Sequence, residues 1–245
     1  MITTLSGPDF LQFFQYVKII CGYGECVCVS GTPHHLSFFT LHESQASFIE
    51  ITYPTFSNDQ PNLNFSIDSQ LLLKHVEVLS NYFPSNDILG EISLEQTDHS
   101  NTILSLTLTT PEFVITLCLE GQSSDSKKLE THCLESYSSW NTTVKDLHHI
   151  MNFKASRWEI QIPRKNHINI KGMTDDEHQL FILKLSEVHT QGKKHTVIVD
   201  TMYVEMLLQY MDVNAPIIIR IAPNAPVEIH AGPLICFIAP IEESD

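Results

Sequence analysis

Apolar positions recur along this chain with two periods. Phe10, Phe13, Phe14 and Val17 stand at i, i+3, i+4 and i+7, and so do Val144, Leu147, His148 and Met151, and Val204, Leu207, Leu208 and Met211. Leu72, Val76 and Leu79 fall on one helical face in the same way. These stripes predict four amphipathic helices, over residues 8–20, from Asp68 onward, over 141–151, and from Asp200 to Met211. Asp68 and Asp200 are the N-caps of the second and fourth helices, and Gly22 and Gly24 end the first. Between the helices lie runs rich in β-branched and aromatic residues. They predict strands at 25–30, 35–41, 46–53, 88–95, 102–109, 113–119, 158–163, 167–173, 180–186, 216–221, 226–231 and 234–238, and a short one before Asp200. Gly31-Thr-Pro33 and His42-Glu-Ser-Gln45 supply turns, and residues 54–61 a loop.

The pattern occurs twice. Phe65-Ser-Ile67-Asp68 followed by the Leu72 stripe has the grammar of His195-Thr-Val-Ile-Val-Asp200 followed by the Val204 stripe, at an offset of 132 residues. His167-Ile-Asn-Ile-Lys-Gly-Met173 lies at the same offset from His35-Leu-Ser-Phe-Phe-Thr-Leu41. Each half is therefore helix, three strands, helix, about three strands, and divides again into quarter-repeats. Many strands with four helices imply an α+β architecture of two similar domains, with sheets covered on one face by helices. The boundaries fall at 1–119, a linker at 120–134 and 135–245, because Glu120 to Thr131 is rich in small polar and charged residues and lacks periodicity.

Charge then narrows the function classes. The net charge of -15, from 29 acidic against 14 basic residues, argues against a surface that grips nucleic acid over its whole extent, while leaving room for a local basic surface. The N-terminus has no positively charged signal-peptide region and no apolar run is long enough to span a bilayer, so the expectation is an intracellular protein. The six cysteines are scattered without Cys-x-x-Cys; Cys26 and Cys28 alternate along a strand as small apolar fillers.

Candidate chemistry is sparse. Gly22-Tyr-Gly24 follows a helix and precedes a strand, the reverse of a dinucleotide fingerprint. Ser124-Asp-Ser-Lys127 sits in the linker without companion motifs. The pairs His34-His35 and His148-His149 point in different directions from adjacent positions and do not chelate one ion. No catalytic motif, metal site or cofactor is expected, and a binding protein is favoured over an enzyme.

Three strings carry a family resemblance: Leu41-His-Glu-Ser-Gln-Ala-Ser-Phe48, Lys145-Asp-Leu-His-His-Ile150 and Cys236-Phe-Ile-Ala-Pro-Ile-Glu-Glu243. With the order of elements, they resemble proliferating cell nuclear antigen, the sliding clamp of DNA replication, and point to a divergent, viral member of that family. The resemblance implies a ring, a homotrimer, with sheets outside and helices inside, which encircles double-stranded DNA without reading its sequence and tethers DNA polymerase and other replication and repair proteins. It implies no catalysis, and a location in the nucleus or at a site of viral DNA replication. Alternatives of the same fold are a subunit of a heterotrimeric checkpoint clamp and a monomeric or dimeric viral polymerase accessory factor.

Carried onto this sequence, the resemblance implies a DNA-facing set of Lys18, Lys74, Lys145, His148, His149, Lys154 and Arg157. The last helix departs from it, with Asp200, Glu205 and Asp212 and no Lys or Arg. Weak DNA contact through the other helices, histidine charge at lower pH, or a grip supplied by the polymerase would each reconcile this. A pocket for an aromatic-anchored partner peptide would use Leu41, Gln45, Leu129, Phe237, Ala239 and Pro240, with Phe237 where the family often has Tyr. Subunit contacts would run along two edge strands, through Phe113, Ile115 and Leu117 and through Leu180, Ile182 and Lys184.

Overall fold

Four times along the chain a strand runs directly into a helix, and its last residue caps that helix. Side-chain oxygens of Ser6, Asp68, Thr143 and Asp200 accept from the backbone N–H of Asp9, Leu71, Asp146 and Met202, at 3.4, 2.8, 3.2 and 2.8 Å. Each cap satisfies a donor the helix cannot satisfy itself. Replacing Asp68 by Ala is expected to cost about 1 kcal/mol, seen as a fall of roughly 2–4 °C in thermal midpoint by circular dichroism.

The computed structural model describes residues 2–55, 62–82, 88–96, 102–123, 137–164, 167–176, 178–186, 189–190, 195–223 and 225–241. The chain forms two compact units, one of residues 1–43 and 49–129, the other of 44–48 and 130–245. Unit 1 runs β1 (Ile2–Ser6), α1 (Gly7–Tyr23), β2 (Cys26–Gly31), β3 (His35–Leu41), β4 (Ser47–Pro54), β5 (Leu63–Asp68), α2 (Ser69–Ser80), β6 (Leu89–Gln96), β7 (Thr102–Thr109) and β8 (Val114–Ser123). Unit 2 runs β9 (Ser138–Thr143), α3 (Val144–Met151), β10 (Arg157–Arg164), β11 (His167–Met173), β12 (Gln179–Ser186), the two-residue β13 (His189–Thr190), β14 (His195–Asp200), α4 (Thr201–Leu208), β15 (Pro216–Ile221), β16 (Val227–Ala231) and β17 (Leu234–Ile238).

The quarter-repeat is thus strand, helix, three strands, and its first strand pairs along its length with the neighbouring quarter of the same unit. In unit 1, β1 pairs with β6 of the second quarter and β5 pairs with β2 of the first. Unit 2 repeats the exchange, with β9 on β15 and β14 on β10. The resulting orders are β1-β6-β7-β8 and β5-β2-β3-β4, then β13-β9-β15-β16-β17 and β14-β10-β11-β12, all antiparallel where the registers are defined.

The repeat reaches individual hydrogen bonds. Ser69 donates from its hydroxyl to the Gly24 carbonyl and from its N–H to Glu25 at 2.9 Å; Thr201 donates likewise to Ala155 at 2.6 Å and to Ser156 at 3.0 Å. Both hydroxyls tie the start of the second helix to the segment following the first.

Cores lie between helix pair and sheet within each unit. In unit 1, α1 packs on α2 and across β1, β2, β3 and β6, burying Phe10, Phe13, Phe14 and Val17. Gly90 of β6 leaves the space that the Phe10 ring fills: a Cβ there would lie 2.0 Å from a ring carbon. Leu72, Val76 and Leu79 are fully buried from α2, as are Val204, Leu207 and Leu208 from α4, with Met211 just beyond its end.

Several expectations need correction. Residues 141–143 belong to β9, since Asn141, Thr142 and Thr143 pair with Ile218, Ile217 and Pro216 and Thr143 is itself the cap. The α3 stripe narrows to Val144 and Leu147, with His148 exposed and Met151 half-buried. The α4 helix ends at Leu208 and continues as a turn. Residues 120–123, expected at the start of the linker, extend β8, where Gly121 pairs with Thr102 and Gln122 with Ser66; the remainder of that linker, 124–134, lies outside the described residues. Cys26 and Cys28 are not fillers: Cys26 is exposed and Cys28 half-buried, because Val27 and Val29 take the inner face of β2. Cys21 and Cys236 fill that role, and burial, with Asp68 adding, pushes the Cys21 thiol up to about 12. No helix among the described residues is long and apolar enough to cross a membrane.

Candidate functional site

The expected DNA-facing residues sit on the helix surfaces and, for Lys154 and Arg157, just beyond α3. Lys18 is half-buried on α1, while Lys74 on α2 and Lys145 on α3 are exposed. His148 and His149 are exposed in the last turn of α3, where a positive charge would favour the helix terminus. Lys154 is exposed just past α3 in the left-handed region, at φ 53. Arg157 is half-buried at the start of β10, opposite Asp200 of β14.

Within the four helices, Lys18, Lys74 and Lys145 are balanced by Asp9, Glu77, Asp146 and Glu205. The helices therefore carry no net positive charge apart from histidine, and they expose apolar side chains such as Leu11, Leu71, Val78 and Met202. Of the expected set, His148 and Lys154 meet in one place, a groove of about 610 Å³ between α3 and α4 whose walls include Met151, Met202, Glu205 and Gln209. Lys145, His149 and Arg157 do not line it.

The expected partner pocket is positioned by the last strand of unit 2. Gln45 is exposed in a turn with φ 59, and the Ala239 N–H donates to the Ala46 carbonyl at 2.7 Å. The Phe237 ring, half-buried, tilts against Phe48 with centroids 5.9 Å apart. Beneath them Ser44 Oγ lies 2.7 Å from the Tyr203 hydroxyl of α4, and the Ile241 N–H donates to Ile198 at 2.8 Å. Ala239 and Pro240 are half-buried, so they offer a low apolar ledge beside the Phe237 ring. Leu41, in unit 1, is 41% exposed at the end of β3. Leu129 lies outside the described residues.

The two expected edges are open. Among the described residues β12 pairs with β11 alone, and β8 pairs with β7 along its length while meeting β5 only through Gln122 and Ser123. On β12, Leu180, Ile182 and Lys184 are exposed. On β8 the half-buried side chains are Phe113, just before the strand, Ile115 and Leu117, whereas Val114, Thr116 and Cys118 are the exposed set. Apolar, uncovered edges of this kind are templates for pairing with another chain.

One cluster escaped the sequence reading. Arg220 on β15 stands opposite Glu228 on β16, which stands opposite Phe237 on β17, so the three side chains share a face. Glu228, only 7% exposed, receives His230 Nε2 at 2.8 Å and has Arg220 Nη1 at 3.8 Å. The Arg220 guanidinium rests over the Tyr137 ring, 4.9 Å from its centroid. The Glu-x-His alternation in Val227-Glu-Ile-His-Ala231 was the available signal; the arginine is brought in only by pairing. Among the described residues no group of three or more His, Cys, Asp or Glu side chains is arranged to hold a metal ion.

No family model matches the chain, and no curated protein matches it. Among solved structures it is similar to PCNA from Thermococcus kodakaraensis, at 10% sequence identity and a TM-score of 0.76, over 98% of this chain and 99% of that one. It is also similar to a chain of the PCNA2-PCNA3 complex from Sulfolobus tokodaii, at 12% identity and a TM-score of 0.74, over the same shares of the two chains. At such identities the shared property is the fold: over nearly its whole length, this chain has the α+β fold of the PCNA sliding clamps.

Proposed function

We propose that this chain is a subunit of a DNA sliding clamp, a non-catalytic ring that encircles duplex DNA and tethers a polymerase and other replication proteins. The observation that carries the reading is the pair of open apolar edges, β8 and β12, on a chain with the clamp fold from end to end. β8 closes the second quarter of unit 1 and β12 the first quarter of unit 2, so joining β8 of one copy to β12 of the next is a heterologous contact that closes on itself when the rotation suits a ring. Three copies are the proposed stoichiometry. Partner proteins would insert a short peptide with an aromatic anchor beside Phe237, Ala239 and Pro240. The proposed location is intracellular, at the site of DNA replication.

The helix charges set the physics of DNA contact. With Lys18, Lys74 and Lys145 offset by four carboxylates, counterion release contributes little, and binding to linear duplex would be weak. Retention would come from topology. Chains assembled in the presence of circular duplex should stay bound through gel filtration in high salt and be released when the circle is cut once. Equal loss from circular and linear DNA, or a single-chain mass at micromolar concentration, would remove the homotrimeric reading.

The same near-neutral helix surface favours a second reading, in which this chain is one of several different subunits and another supplies positive charge. The Sulfolobus structure named above is a complex of two different PCNA chains. Under this reading the chain alone is a monomer and gains ring mass only with a partner subunit.

A further inference from the structure

Arg220 is held in place yet almost unused. Strand pairing and the Tyr137 ring fix its guanidinium, and one Glu228 oxygen lies 3.8 Å away, beyond hydrogen-bonding distance. Among the described residues none of its donors makes a hydrogen bond, and its Nε is buried without a partner. Glu228 hydrogen-bonds His230 at 2.8 Å and meets Arg220 only at ion-pair distance. About a third of the Arg220 side chain, 33%, remains exposed. Arg220 is also the only Lys or Arg on β9, β15, β16 and β17. A guanidinium presents several donors in a planar fork that suits a carboxylate, and stacking on an aromatic ring pre-orders it.

Its position gives this unused capacity a direction. Arg220, Glu228 and Phe237 lie in one row across three adjacent strands, so Arg220 and Phe237 are two strand spacings apart, about 10 Å. Half-buried Ile235 and exposed Ile218 flank the row. An extended peptide advances about 3.3 Å per residue, so a segment whose aromatic side chain sits on Phe237 reaches Arg220 with a residue two to four positions away.

We propose that Arg220 is the carboxylate anchor of the partner-peptide surface, selecting peptides that carry Asp or Glu two to four residues from the aromatic anchor. The assignment rests on the partner-peptide reading of Phe237. It adds a selection rule: on a chain of net charge -15, an acidic segment is repelled at long range, and only one held at this local cation is retained. Glu228 sets the other side of that rule, because a Lys or Arg at the same peptide position would have to compete with His230 and Arg220 for a carboxylate that is already shielded.

The test is a selection of random twelve-residue peptides displayed on phage against the full chain, followed by a two-by-two affinity comparison. Binders lost on Phe237→Ala should show Asp or Glu enriched at the stated spacing. Converting that residue to its amide should weaken binding to the natural chain about tenfold or more, and to Arg220→Gln less than twofold, with Arg220→Lys recovering only part of the difference. Phe237-dependent binders without acidic enrichment, or an equal amide penalty on Arg220→Gln, would overturn the Arg220 assignment and leave the pocket standing. Binders that follow Arg220 but ignore Phe237→Ala would remove the pocket and keep the carboxylate anchor. A selection yielding no binder would remove both. Circular dichroism melts of the Arg220 variants separate loss of binding from loss of fold.

Discussion

Replacing Phe13 by alanine is expected to lower the stability of unit 1 by about 3–5 kcal/mol, the largest effect of any single core truncation in α1. Phe13 is fully buried, and its ring is surrounded by other rings: Phe10 and Phe14 at 5.9 Å, Phe38 at 5.3 Å and Tyr53 at 5.7 Å. Phe38 and Tyr53 meet it edge-on, the arrangement that adds to area burial. Because these neighbours are fixed by α1, β3 and β4, the cavity cannot close by moving one side chain, so the transfer and cavity penalties both apply. Tyr53 offers a partial relief. Among the described residues its buried hydroxyl has no hydrogen-bond partner, and burial raises its pKa; water entering the space vacated by Phe13 would solvate it. Phe13→Leu leaves a smaller cavity and should still cost clearly less than Phe13→Ala. The midpoint of urea unfolding followed by circular dichroism, with hydrogen exchange at the amides of α1 and β2, reads both effects.

The second large effect concerns assembly. Ile182→Lys on β12 and Val114→Lys on β8 each place a charge on an open edge, at side chains already 48% and 63% exposed, so the fold of the single chain should be unchanged. Buried in a strand-to-strand contact, an unpaired ammonium costs several kcal/mol, which raises the dissociation constant by about 100-fold or more. Either variant alone should sediment as a single chain. Mixed together the two should form a one-to-one dimer and stop, because one compatible pair of edges survives: natural β12 of the Val114→Lys chain against natural β8 of the Ile182→Lys chain. That outcome is specific to a head-to-tail contact, since an interface made of the same patch twice would not be rescued by mixing. A mixture that stays monomeric, or single variants that still form the full assembly, would remove these edges from the interface.

Much of the fold is legible in the sequence where a stripe of large apolar residues meets a capping residue. Phe10 to Val17, Leu72 to Leu79 and Val204 to Met211 identify their helices because each buries one face and little else competes. Strands buried on one or both faces, such as His35–Leu41, Thr102–Thr109 and Leu234–Ile238, are equally plain. The first strand of each unit is not. Ile2-Thr-Thr-Leu-Ser6 and Ser138-Ser-Trp-Asn-Thr-Thr143 are short and polar, and become strands through partners fifty or more positions away, as Thr3 pairs with Ile92 and Trp140 with Ile219. Tertiary pairing overrides weak local preference there. The same non-local pairing hides Arg220 from a linear reading, since nothing near it in the chain marks it as the neighbour of Glu228 and Phe237. His148 failed in the opposite direction: it kept helical spacing on α3 but lies outside the buried stripe, because an eight-residue helix needs only Val144 and Leu147 to fix it.

The exchange of first strands between quarters also orders events in time. β1 leaves the ribosome before the rest of unit 1, but its partner β6 is not complete until Gln96 has been added, some ninety residues later. At about 5–20 residues per second this is a wait of roughly 5–20 s, during which β1 and the Phe10 side of α1 lack the strand that packs on them, although β2 and β3 have already been made. A nascent chain stalled before β6 should thus be a substrate for cellular quality control, while one released just beyond β8 can already close its first unit.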